Sequence, residues 1–90
     1  MPDYLVETYL SRGLAGERAS REQRARVAAA QLEQEGTSVH FDRSIYVPED
    51  EICFFVFEAC SGRDAALAAQ RAELDPIRVV EAVSSRKAEP

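Results

Sequence analysis

Residues 39–59 constrain this chain more than any other stretch. Val39 to Val47 alternates along its length, and Ile52 to Ala59 is a nearly unbroken apolar run of strand length. Between them, Pro48-Glu49-Asp50-Glu51 is polar and contains a turn-former. The two runs therefore predict a β-hairpin. A regular ladder sets Val47 opposite Ile52, Ile45 opposite Phe54, Arg43 opposite Val56 and Phe41 opposite Glu58. The other side then carries Tyr46 with Cys53, Ser44 with Phe55, Asp42 with Phe57 and His40 with Ala59. Both sides are apolar over much of their length, and a hairpin of that kind needs cover on each.

The rest of the chain supplies part of that cover. Residues 3–10 alternate and read as a first strand, and residues 11–19, with Gly13 and Gly16, read as a loop. Ser20-Arg21-Glu22-Gln23 has the form of a capping box and predicts a helix from there to about Glu35. Its buried stripe is Ala25, Ala28, Ala29 and Leu32, and Gly36 is its stop. Ser61-Gly62-Arg63-Asp64 is a second cap signature, followed by apolar residues at 65, 68, 69 and 72. Asp75-Pro76 ends that helix, because the residue before proline avoids the helical region. Residues 77–83 form a last strand, and residues 84–90 a polar tail.

The order is βαββαβ, the α+β ferredoxin-like pattern. It implies a four-stranded antiparallel sheet with the first and third strands central and both helices on one face. Residues 1–83 make one domain. Ninety residues bury only about 60–65% of the unfolded surface, so a second copy would add useful burial. Phe55, Phe57 and Tyr46, left outside together, would form an apolar patch of the kind that marks a contact. A homodimer packed sheet against sheet is the simplest cover. The alternative is a monomer whose aromatics lie beneath the 11–19 loop and the tail.

The net charge of −5 argues against a nucleic-acid partner. The longest apolar run, Ile52 to Phe57, falls far short of the roughly 20 residues of a membrane span. The opening Met1-Pro2-Asp3-Tyr4 has no signal-peptide character, so the expected location is the cytoplasm. Cys53 and Cys60 match neither a zinc knuckle nor a secreted disulfide framework and read as reduced thiols.

Several residues have chemistry to offer. His40, the single histidine, reads either as a base or metal ligand beside Asp42, or as an interface residue. Cys53 is either a soft metal ligand sharing a cavity with His40 or a small buried hydrophobe. Arg43 and Glu58 sit diagonally on one hairpin face. With Glu7 and Tyr46 they would line a small-molecule site. Glu17 with Arg21, and Glu22 with Arg26, have the i, i+4 spacing of a salt-bridged helix surface. The sequence shows no phosphate loop, nucleophile elbow or dinucleotide fingerprint. Binding is therefore expected ahead of catalysis.

With these residues in view, the chain resembles a family of small bacterial domains of unknown function often labelled nickel-binding proteins. The resemblance runs through Tyr4-Leu5-Val6-Glu7, Val39-His40-Phe41 with Arg43, and Pro48-Glu49. It continues through Phe54, Glu58-Ala59, Ser61 and Arg71-Ala72 to Val79-Val80-Glu81-Ala82-Val83. It implies a ferredoxin-like dimer and a divalent transition metal such as nickel. His40 carries over as a ligand. Thr8, Tyr9 and Ala69 stand where such members are rich in histidine, and Phe55 stands where a cysteine is expected, with Cys53 two residues away.

Overall fold

The computed structural model describes residues 1–85. The chain runs β1 (Asp3–Tyr9), a 3₁₀ turn (Arg12–Glu17), α1 (Arg18–Gln34), β2 (Val39–Val47), β3 (Ile52–Ala59), α2 (Gly62–Arg71) and β4 (Arg78–Ala82). The four strands form one antiparallel sheet in the order β2-β3-β1-β4, so β1 and β3 are central. This is the ferredoxin-like α+β arrangement. Of the polar tail expected at 84–90, residues 86–90 lie outside the described residues.

Local chemistry sets most element ends. Gly36 takes a φ of 100°, in the left-handed region that glycine enters without a Cβ clash, and α1 stops just before it. The Ser61 hydroxyl caps α2 by accepting the Asp64 N–H at 3.2 Å. The Ser20 box does not cap α1. The chain is already helical at Glu17, having entered from the 3₁₀ turn, and Ser20 instead donates its hydroxyl to the Glu17 carbonyl at 2.9 Å. A capping side chain needs an extended cap residue, and the 3₁₀ turn removes that condition.

The core lies between the helices and one face of the sheet. Ala25, Ala28, Ala29 and Leu32 of α1, and Ala65, Ala68, Ala69 and Ala72 from α2 and its end, present a surface of small side chains. Against it pack Tyr4, Val6, Cys53, Phe55, Phe57 and Val39. Small residues on the helices leave room for large ones on the sheet, so Phe55 and Phe57 are both fully buried. Each contributes roughly 1.5–3 kcal/mol through that burial. The outer patch expected from Phe55, Phe57 and Tyr46 is therefore on the inner side.

One residue changes the hairpin register. From Val47 to Arg43 the pairing follows the regular ladder, and then Asp42 bulges out, so that Phe41 faces Phe57 and His40 faces Glu58. The bulge moves Phe41 to the core side, where its ring meets Phe57 edge-on at 5.4 Å. His40 passes to the other side. Because Phe41 and Arg43 already occupy consecutive pairs, deleting Asp42 should leave both flanking registers intact and change stability by no more than about 1 kcal/mol. Phe41–Phe57 contacts by NMR and a urea titration test this. Transfer of Phe41 to the open face would refute the register.

Candidate functional site

The sheet separates the polar residues into two groups. On the open face, alternation presents Asp3, Leu5, Glu7 and Tyr9 from β1, and Ile52, Phe54, Val56 and Glu58 from β3. Beside them lie Arg43, Ile45 and Val47 of β2 and Arg78 and Val80 of β4. The centre is apolar: Leu5 pairs with Val56 and Val80, and Phe54 pairs with Ile45. Ile45 remains 41% exposed, and Tyr9 57%. Charge interrupts the apolar surface at Glu7, on central strand β1 opposite Phe54, and flanks it on the edge strands. Glu7 accepts from Arg78 Nε at 2.9 Å, and Arg43 pairs with Asp42 across the bulge.

At one end of this face the register places His40, Glu58 and Asp3 in a row across three strands. The row does not close into a ligand set. From the edge strand the imidazole reaches α1, with Nδ1 3.4 Å from Glu33 Oε1. Among the described residues, no group of three His, Cys, Asp or Glu side chains has the geometry to hold a metal ion. His40 and Cys53, the ligands expected from sequence, hold register positions on opposite faces of the sheet, and the imidazole is turned to Glu33 at the edge. The donors of one chain therefore do not fit the transition-metal site that the resemblance implies.

The second group is under α1. The inward stripe of that helix continues Ala25, Ala28 and Ala29 toward the N-terminus as Arg18, Arg21 and Glu22, all partly buried. These charged residues meet Ser44, Tyr46 and Cys53 on the sheet. The Glu22 carboxylate accepts from the Ser44 hydroxyl, Arg21 donates to the Tyr9 carbonyl at 3.3 Å, and the Arg18 guanidinium lies 5.9 Å from the Tyr46 ring centroid. The Tyr46 hydroxyl donates to the Leu10 carbonyl at 2.9 Å. The buried Thr8 hydroxyl donates to the Cys53 carbonyl at 2.8 Å. Burial pushes the Cys53 thiol up, against the opposing pull of Arg18 and Arg21. A protonated, enclosed thiol is a poor nucleophile and a poor ligand.

Of the residues expected to line one small-molecule site, Glu7, Arg43 and Glu58 share the open face, whereas Tyr46 lies across the sheet from them. The size of the helix residues carried the missing signal: alanine stripes need aromatic partners, and Tyr46 and Cys53 alternate in phase with Phe55 and Phe57. Glu51 was also missed. It sits in the β2–β3 turn at a φ of 54°, where glycine or asparagine is usual. Its carboxylate accepts the Arg12 N–H at 2.8 Å and the Tyr9 hydroxyl at 3.2 Å.

A comparison with solved structures matches this chain to the crystal structure of SCO4226 from Streptomyces coelicolor A3(2). The TM-score is 0.68 at 16% sequence identity, over 92% of this chain and 98% of that one. At that identity the likeness is one of fold. No protein-family model and no curated protein matches the sequence. Among the described residues, no helix is long and apolar enough to cross a membrane.

Two carboxylates, exposed Glu35 and partly buried Glu51, respond to acid. The hydrogen bond from the Arg12 N–H holds Glu51 below the usual range, and the hydrogen bonds from Arg71 do the same for Glu35. A carboxylate depressed in the folded state stabilises fully above its unfolded pKa of about 4.3, and that stabilisation is lost as pH falls through the folded value. The melting temperature should therefore drop on acidification from about pH 7 to about pH 3. A Glu35→Gln, Glu51→Gln double variant should show a shallower drop, and identical pH profiles would contradict the assignment.

Proposed function

We propose that this chain is a small homodimeric binding protein that covers its open sheet face with a second copy. The apolar centre formed by Leu5, Ile45, Phe54 and Val80 carries this reading. Sheets with helices on one side ordinarily present alternating polar residues to water on the other. Here an apolar patch of Leu5, Ile45, Phe54, Val56 and Val80 crosses all four strands, with Glu7 beside it and Arg43 and Arg78 on the edge strands, a mix of apolar core and charged surround that interfaces show. The molecule measures 37 × 30 × 19 Å, and its broad face has room for the roughly 800 Å² per partner that stable pairs bury.

In this reading a small ligand is held at the seam by Glu7, Arg43 and Glu58, the three expected site residues on that face. Arg43 and Glu7 suit a polar or zwitterionic organic molecule, since each presents a charge beside apolar surface. Nickel receives no support from the donor geometry of a single chain. Binding is preferred to catalysis because the one buried thiol is protonated and its neighbours are committed to hydrogen bonds.

Native mass spectrometry of the protein as purified reports subunit count and retained ligand together. Sedimentation should give a dimer, and Phe54→Glu should weaken association at least about tenfold while leaving the circular dichroism spectrum unchanged. A wild-type protein that sediments as a monomer at high concentration would end the proposal.

A further inference from the structure

The salt-bridge ladder that spacing predicts along α1 is only half formed. Arg21 keeps Glu17, four residues before it, at 3.6 Å. Arg26 does not keep Glu22, because that carboxylate turns inward and accepts the Ser44 hydroxyl. The Arg26 guanidinium lies instead over the Phe41 ring, 5.4 Å from its centroid, and among the described residues no carboxylate pairs with it. Stacking on an aromatic face holds the planar head in place and leaves its N–H edge to meet a carboxylate with two parallel bonds.

Arg26 stands at one end of a groove of about 340 Å³ between α1 and the edge strand β2. Its helix wall is Arg26, Ala29, Ala30 and Glu33, one stripe of α1 that spans two turns, about 10 Å. Alanine at 29 and 30 opens the groove, and Val39 and Phe41 of β2 make the facing wall. Glu33 and His40, 3.4 Å apart, close the far end. The volume lies at the small end for ligand pockets, and apolar walls with a few charged groups are their usual make-up. A carboxylate at the end opposite Arg26 disfavours a dianion such as phosphate. The bulge at Asp42 breaks the β2 edge beside the groove, which disfavours an added peptide strand.

We propose that this groove binds a small organic monocarboxylate with an apolar body, its carboxylate on Arg26 and its body against Ala29, Ala30, Val39 and Phe41. The commitment of Glu22 to Ser44 is what leaves Arg26 available to such a ligand. The groove lies between α1 and the β2 edge, so its occupation is independent of any pairing or ligand at the open face.

The test titrates the full chain, labelled with nitrogen-15, with 3-phenylpropanoate and follows the backbone amide shifts. Saturable shifts should centre on residues 26–33 and 39–41, with half-saturation below about 10 mM. The neutral 3-phenylpropanamide should bind at least about tenfold more weakly, and so should 3-phenylpropanoate to Arg26→Gln. Ala30→Leu keeps the guanidinium but fills the groove from an exposed position, and it should weaken binding to a similar degree. Both substitutions lie on the exposed side of α1, so the urea midpoint should stay unchanged. Absence of saturable shifts, shifts centred on the open face, or equal binding of the amide or by Arg26→Gln would each overturn the proposal. Tighter binding of inorganic phosphate than of the carboxylate would do the same.

Discussion

A central strand that is apolar on both sides governs this fold. Cys53, Phe55, Phe57 and Ala59 project to one side of β3, and Ile52, Phe54 and Val56 to the other. Two short helices can shelter only one of these sets. The set that includes Phe55 and Phe57 fills the space left by alanines on both helices, and the molecule's thin dimension of 19 Å reflects that two-layer build. What remains outward is a shallower apolar strip that Glu7 interrupts and that Arg43 and Arg78 flank on the edge strands. Among the described residues, both helices lie on the other side of the sheet from this strip.

Much of this architecture was legible in the residues. The limits of β2 and β3, the alanine stripe of α1, the stop at Gly36 and the Ser61 cap follow from periodicity and cap chemistry, which act over a few residues. The features that escaped depend on partners distant in sequence. Ser20-Arg21-Glu22-Gln23 matches a capping box, but the 3₁₀ turn before it had already begun the helix. The bulge at Asp42 escaped for a similar reason. Nothing in His40-Phe41-Asp42-Arg43 marks the extra residue, and only the fit of Phe41 against Phe57 selects the shifted register.

The candidate site was legible to a smaller degree. Alternation grouped Tyr46 with Cys53 and Arg43 with Val56 correctly, yet it could not say which group the helices cover. A shift of one residue reverses the side that every position beyond it faces. His40 illustrates the effect: one bulged residue turns its register position to the open face, and the imidazole reaches round the edge strand to Glu33 of α1. The charged start of the α1 stripe is a further case. Arg21 and Glu22 look like half of a surface ladder, and Arg21 does approach Glu17 at 3.6 Å, but both also point toward polar groups on the sheet.

The alanine contact plane also governs how the sequence can drift. Where a helix rides on methyl groups, there is no flexible side chain to give way when a neighbour grows. Ala28, Ala65 and Ala68 are all buried, so anything bulkier at these positions overpacks the layer. The outward strip has no such ceiling, since its neighbours are solvent or a partner. Descendants of this scaffold can rewrite what they present to the outside while the hidden methyl-on-ring contact stays nearly frozen.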